Sequence, residues 1–307
     1  MTPTMVPGAA GAYLDWIGLT EAMKAGHRLP RAEIADLFLY RGTDTLLDRA
    51  AWIDGLGSAV KVANVFPGNP AAGRPMVNGV VTLFDDRTGA LEALVDFHLV
   101  TKWKTAGDSL LSARLLARPD ARNFLIVGAG TVGRSMIDAY AAAFPGARFT
   151  VWNRTPEGAQ RMAAGVPGLA VARDLEAAVA GADVIATCTM AKAPVIRGDW
   201  LRPGQHLDLI GAYRPDMREV DDAAISRARV FVDSRATTIH HIGEIMAPIA
   251  SGALREDAIR GDFYDIEGGA WERRSDAEIT LAKNGGGAHL DLMTSRYILD
   301  RWRAVKG

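Results

Sequence analysis

The 307-residue sequence predicts an α/β protein: a doubly wound parallel sheet and a second, discontinuous α+β domain. Two observations predict the sheet. From about residue 120 to 235, short apolar stretches alternate with helix-like stretches, as in parallel strands joined by crossover helices. A glycine-rich turn directly follows the first apolar stretch. The expected strands are 124–127, 148–152, 169–172, 183–187, 206–210 and 229–232.

The crossover helices have recognisable starts. One helix is expected from Gly133 to about Phe144, and a second begins at Pro156, a residue favoured in the first turn. A third spans 175–180, with Asp174 as its N-cap. These helices fill the gaps between the strands, so the connections are those of a parallel sheet.

The first 115 residues have a different pattern. Lys61–Phe66 and the two halves of 80–95 are strand-like and separated by polar turns, which favours antiparallel pairing. Residues 105–117 have helical spacing, and a last helix, 289–302, is expected to return to the N-terminal part. The predicted domains are therefore 1–117 with 285–307, and 118–284 for the parallel sheet.

The glycine-rich turn predicts a dinucleotide site. Gly128 permits the tight turn, Gly130 lets the backbone approach a pyrophosphate, and Gly133 permits close packing of the following helix. The N-terminal amides of that helix face the phosphates. Because the motif stands between a predicted strand and a predicted helix, it is typical of a Rossmann-type domain.

The end of the second strand favours NADP(H) over NAD(H). An NAD-binding chain has an Asp or Glu there to hold the ribose 2′-hydroxyl, whereas this chain has Asn153-Arg154-Thr155. A guanidinium suits a 2′-phosphate and no carboxylate repels it, although Asn153 also permits NAD(H). The residues assigned to the cofactor are Gly128, Ala129, Gly130, Thr131, Val132, Gly133, Asn153, Arg154, Thr155 and Thr187.

Composition excludes several classes of protein. With 35 basic and 36 acidic residues the net charge is −1, which does not favour a nucleic-acid partner. The sequence has neither an apolar run long enough for a membrane span nor a signal-peptide pattern, so the expected location is cytoplasmic. Cys188 lies in an apolar run and is expected to be a buried small hydrophobe, not a nucleophile.

From about Arg49 to Trp302, the chain resembles the ornithine cyclodeaminase and mu-crystallin family. The segments that carry the resemblance are Lys61–Pro70, Gly79–Ala90, Thr101–Ser109, Trp152–Thr155, Gly181–Val184, Gly211–Asp216, Phe231–Ser234 and Thr280–Asn284. The resemblance implies a Rossmann domain with a dimerising substrate domain. It also implies hydride transfer between a nicotinamide and the α-carbon of an amino or imino acid.

The resemblance implies three cationic residues that hold a substrate carboxylate. Arg49 and Lys61 match two of the family's positions, and Lys104 stands where the family has an arginine. Lysine supplies a point charge in place of a bidentate fork, so the hold on the carboxylate is expected to be looser there. Lys61 lies in an apolar strand, which favours a site role and a lowered pKa suited to proton donation over a lysine at a strand edge. Lys102 is not assigned to the site.

Tyr213 marks the reaction type. Cyclodeaminases of the family carry an aspartate at this position, where it serves acid/base chemistry at the substrate amine. Its replacement favours an imine reductase acting on a ketimine carboxylate or an iminosuccinate-type substrate, with Lys61 and Tyr213 as the catalytic residues. Two alternatives stay open: a cyclodeaminase that makes proline from ornithine, and a non-catalytic NADPH-binding protein.

The roles of four other residues are less defined by the sequence. Asp108 either caps a helix or pairs with a site lysine. His240 and His241 are adjacent, a poor spacing for ligands of one ion, so no metal is expected. The resemblance places Lys283 near the nicotinamide, and it is assigned to the cofactor site on that basis.

Overall fold

The computed structural model describes residues 2–306, which form two compact units: residues up to Lys104 together with those from Gly287 onward, and Thr105–Gly286. The strands are β1 (Thr4–Val6), β2 (Glu33–Arg41), β3 (Asp44–Ile53), β4 (Gly57–Val65), β5 (Val77–Phe84), β6 (Leu91–Asp96), β7 (Asn123–Val127), β8 (Arg148–Trp152), β9 (Ala170–Val171), β10 (Val184–Thr187), β11 (His206–Leu209), β12 (Arg229–Val232) and β13 (Thr280–Lys283).

The helices are α1 (Trp16–Gly26), α2 (Phe97–Leu116), α3 (Thr131–Ala143), α4 (Pro156–Ala164), α5 (Leu175–Gly181), α6 (Asp222–Arg227), α7 (Arg235–Thr238), α8 (Gly243–Ser251) and α9 (Ala288–Lys306). Short 3₁₀ segments lie at Gly8–Tyr13, Asn69–Ala72, Gly198–Trp200, Glu256–Ala258 and Phe263–Asp265. None of the helices among residues 2–306 is both long and apolar enough to span a membrane.

The first unit contains a six-stranded sheet in the order β1-β6-β5-β4-β3-β2. Strands β2 to β6 pair antiparallel, as expected for the segments beginning at Lys61 and Val80, and β1 adds in parallel to β6. Helix α9 packs against β3, β4 and β5. The last helix of the chain therefore belongs to the same unit as the first 104 residues.

The sequence pattern did not predict the hairpin β2–β3. All nine residues of β2 are exposed, so the strand has no buried face and its sequence shows no alternation of apolar and polar residues. Gly42 makes the turn to β3 at φ +59°, a conformation that favours glycine. Arg49, whose secondary structure was not predicted, lies on β3.

The second unit contains a seven-stranded parallel sheet in the order β12-β13-β11-β10-β7-β8-β9. This confirms the Rossmann-type fold class, but the expectation of six strands was wrong. Strand β13 lies between β11 and β12 and pairs in parallel with both. Strand β13 is short and includes a lysine, Lys283, so its sequence lacks the apolar run that predicts a buried strand. From β7 the chain runs to β8 and β9 on one side and returns to β10 and β11 on the other, which makes the carboxyl ends of β7 and β10 the topological switch point.

Helix α2 differs from its predicted extent. It begins at Phe97 instead of near Thr105, and Asp96 accepts a 2.7 Å hydrogen bond from the Leu99 amide at its start. The two units divide within this helix, after Lys104, whereas the predicted boundary followed residue 117. Asp108 lies in the middle of the helix and is fully buried, so its interpretation as an N-cap was wrong.

Candidate active site

Two glycines of the turn after β7 are required by the packing of the chain itself. Gly128 has φ +118°, and a Cβ atom there would lie 2.8 Å from the Cys188 carbonyl oxygen. A Cβ atom on Gly133 would collide with the Gly128 carbonyl oxygen. The turn therefore lies directly against the start of the loop after β10, and the first turn of α3 lies directly against the glycine turn.

Gly130 has a different setting. It is the N-cap of α3, its φ of −91° is open to any residue, and a Cβ atom there would meet nothing within 4 Å. Neither the backbone conformation nor the protein packing therefore requires a glycine. The open space lies at the N-terminus of a 13-residue helix, beside exposed Thr131, where free amides favour an anion. This space fits a dinucleotide pyrophosphate.

The Asn153-Arg154-Thr155 segment is tied to the glycine turn. The Asn153 Oδ1 atom accepts a 3.0 Å hydrogen bond from the Ala129 amide, and its Nδ2 donates to the Thr155 carbonyl at 2.8 Å and to its Oγ1 at 3.1 Å. Arg154 is exposed and forms no ion pair with any residue in the range 2–306. Asn153 thus fixes the loop, and the Arg154 guanidinium stays available to a ligand.

Thr187 ends β10 at the switch point, and Cys188 begins the loop that follows. Thr187 is fully buried, and its Oγ1 has no hydrogen-bond partner among the described residues, which is unusual for a buried hydroxyl. Burial raises the pKa of the Cys188 thiol well above its ordinary value, and Glu219 and Asp208 raise it further. The thiol is therefore protonated near neutral pH. The side chain is half-buried, whereas the sequence predicted a buried residue.

In the first unit, Lys61 and Arg49 lie opposite each other on β4 and β3. The Lys61 Nζ atom forms a 2.9 Å ion pair with Asp291 Oδ1 and lies 4.9 Å from the Phe97 ring centroid. Lys61 is only 8% exposed and Asp291 only 1%. Asp291, on α9, was not predicted from the sequence. The signal available was a carboxylate flanked by Leu290 and Leu292 in the last helix.

Burial lowers the pKa of Lys61, and the charges of Lys104 and Arg49 lower it further against the opposing effect of Asp291. Burial alone would raise the pKa of Asp291, but the combined charges of Lys61, Lys104 and Arg49 hold it below its ordinary value. The ion pair and the strand register bring Lys61, Asp291 and Arg49 together, and the pKa effects indicate that Lys104 belongs to the same cluster. Asp291 pairs with Lys61 and Asp36 pairs with Arg49, so two of the three positive charges are offset, and the remaining one suits an anionic ligand.

Lys104 and Arg49 differ in their own settings. Lys104 is 8% exposed, while Lys102, two residues away on the same helix, is exposed. The assignment of Lys104 to the substrate stays a prediction. Arg49 donates through Nε and Nη2 to both carboxylate oxygens of Asp36 on β2, at 2.9 to 3.1 Å. Part of its fork is therefore already committed to the protein.

Tyr213 lies in the loop after β11 and is 54% exposed. Its ring lies 5.8 Å from the Arg214 guanidinium carbon, and Arg214 in turn forms a bidentate ion pair with Asp216. No buried group holds the phenol in place among the described residues. The catalytic role of Tyr213 therefore stays a prediction.

Lys283 is fully buried beneath the loops of the second unit. Its Nζ donates to the Leu209 carbonyl at 2.7 Å and to the Asn284 carbonyl at 3.0 Å. Burial lowers its pKa, and the carboxylates that oppose this effect belong to Glu219, Glu244, Asp233 and Asp108. The pairing of Asp108 with a site lysine stays a prediction. A direct contact of Lys283 with the cofactor stays a prediction.

Glu244 is a buried carboxyl group whose pKa is raised. Burial raises its pKa from 4.5 to about 7, and Glu219 adds to the rise. Because the folded-state pKa lies above the unfolded value, Glu244 favours folding most below pH 4.5, and the contribution is lost as the pH rises through about 7. We expect the unfolding free energy of the wild type, relative to Glu244→Gln, to fall by roughly 3 kcal/mol across this range, at about 1.4 kcal/mol per pKa unit.

Urea denaturation at several pH values measures this difference. The control is Glu157→Gln, in the exposed first turn of α4. A constant difference between wild type and Glu244→Gln across the range would contradict the assignment, because loss of a hydrogen bond alone does not depend on pH in this way.

His240 and His241 are both exposed, and His240 Nε2 lies 3.6 Å from Glu256 Oε1. Within residues 2–306, no group of three or more His, Cys, Asp or Glu side chains is arranged to hold a metal ion.

A parallel sheet with a glycine turn at its switch point defines a nucleotide-binding α/β protein. The chain belongs to the ornithine cyclodeaminase/mu-crystallin family, whose model matches residues 54–306. This confirms the resemblance, although Arg49 lies outside the matched residues.

Two relatives and one solved structure to which the chain is similar have the names of reductases. The chain is 53% identical over 297 residues to a Delta(1)-pyrroline-2-carboxylate reductase of Paracoccus denitrificans (strain Pd 1222), covering 95% of this chain and 94% of the relative. It is 33% identical to the ketimine reductase mu-crystallin of Mus musculus over 80% and 76% of the two chains. The iminosuccinate reductase of Paracoccus denitrificans in complex with NAD⁺ has a TM-score of 0.88 at 25% identity, covering 99% and 97%.

Proposed function

We propose that the protein is an NAD(P)H-dependent reductase that converts the C=N bond of an α-imino acid to the amine. The observation that carries this proposal is the cluster of buried Lys61, Asp291 and Lys104 with partly buried Arg49, which suits a carboxylate-bearing substrate. The relative at 53% identity is named for pyrroline-2-carboxylate, a cyclic imine with an α-carboxylate. A ketimine carboxylate is therefore the first substrate class, because Asp291 and Asp36 offset two of the three cations and leave one positive charge for one carboxylate. Iminosuccinate, with a second carboxylate, is the second class.

The cluster residues have separate tasks in this reaction. When bound, the reduced nicotinamide supplies a hydride to the imine carbon. Lys104 and Arg49 hold the substrate carboxylate by charge, and Lys61 Nζ places a proton on the imine nitrogen as the C=N π electrons move onto it. A buried lysine with a lowered pKa is a better proton donor than an exposed one, and Asp291 fixes its Nζ at 2.9 Å.

The cofactor is proposed to be NADP(H) in preference to NAD(H). The Arg154 guanidinium, which forms no ion pair with the described residues, supports this choice. The open space at Gly130 and the Thr187 hydroxyl without a hydrogen-bond partner support the cofactor site as a whole. We expect Arg154→Ala to weaken NADPH binding by roughly 1.5 to 3 kcal/mol, the contribution of a charged hydrogen bond, and to spare NADH. Fluorescence titration with both cofactors measures this; the control is Arg161→Ala on α4. A wild type that prefers NADH would overturn the assignment.

A screen of cofactor oxidation tests the reaction. The purified protein is given NADPH with cyclic ketimine carboxylates, or with oxo acids mixed with ammonia, and the loss of NADPH absorbance is followed. We expect turnover of at least one α-imino acid. Proline and ammonia formed from ornithine would favour the cyclodeaminase instead, and tight NADPH binding without any turnover would favour a binding protein. Tyr213, in place of an acidic group, supports the reductase.

The partner is proposed to be a second copy of the chain. Strand β2 is an edge strand, and its exposed residues include Leu37, Phe38, Leu39 and Tyr40, the last 74% exposed. A long apolar edge of this kind is an aggregation hazard unless another chain covers it. The mass in solution, measured by light scattering, tests the homodimer. We also propose a cytoplasmic location.

A further inference from the structure

Glu219 joins two loops of the second unit. Its carboxylate is fully buried and accepts four hydrogen bonds. Oε1 accepts from the Thr189 amide and hydroxyl, both at 2.7 Å. Oε2 accepts from the Gly211 amide at 2.8 Å and the Ala212 amide at 3.2 Å. One oxygen therefore serves the loop after β10 and the other the loop after β11.

These loops lie at the carboxyl ends of the strands, beside the switch point. The loop after β10 starts against the glycine turn, because a Cβ atom on Gly128 would lie 2.8 Å from the Cys188 carbonyl. The two loops also touch each other, because a Cβ atom on Gly211 would collide with the Thr189 backbone. The adenosine side of the crevice is at β8, on the other side of β7, so β10 and β11 border the half that takes the nicotinamide.

The backbone of Glu219 is itself fixed from two directions. The Glu244 carboxylate accepts from the Glu219 amide at 2.6 Å and from the Val220 amide at 3.1 Å. The Glu219 carbonyl accepts from the amides of Val195 and Ile196 at 2.8 and 3.0 Å. A buried carboxylate on a fixed backbone gives both loops a rigid reference point, which a site needs to hold a reactive group in place.

We propose that Glu219 is a positioning residue for the nicotinamide half of the cofactor. By holding Cys188–Ala191 and Gly211–Tyr213 together, it sets the surface on which the nicotinamide ring and its ribose rest. The inference deepens the proposed function and rests on it for the identity of the cofactor. It predicts an effect confined to one half of the dinucleotide.

Glu219→Gln tests this asymmetry. One carboxylate oxygen becomes an amide NH₂ that faces two donors, so one loop loses its hydrogen bonds. We expect NADPH binding to weaken roughly tenfold and the single-turnover rate of hydride transfer to fall by about 10². Adenosine 2′,5′-bisphosphate, which occupies only the adenosine half, should bind the variant within about twofold of wild type. Glu278→Gln is the control, a partly buried carboxylate of the same unit that pairs with Arg229.

Equal weakening of both ligands would overturn the inference, since a purely structural defect does not distinguish the two halves. Unchanged NADPH binding and rate would overturn it as well. If Glu219→Gln does not fold, variants of Thr189 test the inference instead. Thr189→Val removes the hydroxyl that donates to Glu219 and should weaken NADPH binding more than binding of the bisphosphate. Thr189→Ser keeps the hydroxyl and should bind NADPH as the wild type does. If the wild type reduces no imino acid, the proposed function fails, whereas the comparison of the two ligands still tests Glu219.

Discussion

Replacement of Lys61 by Met is expected to lower the rate of hydride transfer and weaken substrate binding together. The change removes a carboxylate-binding charge and the proposed proton donor to the imine nitrogen. The expected loss in kcat/KM is on the order of 2 to 4 kcal/mol, the range for stripping a buried charge pair of one partner. NADPH binding, followed by nicotinamide fluorescence, should stay within about threefold of wild type.

The control for Lys61→Met addresses Asp291. The single variant leaves a buried carboxylate without its 2.9 Å ion-pair partner, which itself destabilises a fold. The double variant Lys61→Met with Asp291→Asn removes both charges and should unfold closer to the wild-type temperature while staying equally inactive. Recovery of activity in the double variant, or full activity of Lys61→Met on the best substrate, would place the proton donor elsewhere.

The parallel strands were predictable because each is a short apolar run between turn signals. Observed strands such as Asn123–Val127 and Arg229–Val232 begin and end within a residue or two of the expected positions. Strand β13 was missed because the charge of Lys283 is satisfied by the carbonyl oxygens of Leu209 and Asn284, a solution that only the folded chain reveals. Strand β2 was missed because neither of its faces is buried in the chain, so its sequence has no alternating apolar pattern.

The candidate site was predictable only where one segment carries the chemistry. The glycine turn and the segment at Arg154 are each complete within a few residues, so their spacing identified them. The partner of Lys61 is 230 residues away on the last helix, and the role of Glu219 depends on backbone donors from two loops. Neither relation has a pattern in the sequence, because both depend on which elements the fold brings together.

Lys104→Met is expected to raise the KM for the imino acid with a smaller effect on kcat. Lys104 shares the cluster with Lys61 but does not pair with Asp291, so we assign it carboxylate binding that is the same in the ground and transition states. The expected loss in kcat/KM is on the order of 2 to 4 kcal/mol. Steady-state kinetics separates the two variants, since Lys61→Met lowers kcat as well.

The matched control is Lys102→Met, which removes an exposed lysine two residues away on the same helix and should leave both constants near wild type. Lys104→Arg provides the opposite test, because a guanidinium restores the fork that the family has at this position and should lower KM relative to Lys104→Met. If Lys104→Met lowers kcat as much as Lys61→Met does, the two lysines act as a single catalytic unit, and the separation into a proton donor and a binding charge is wrong.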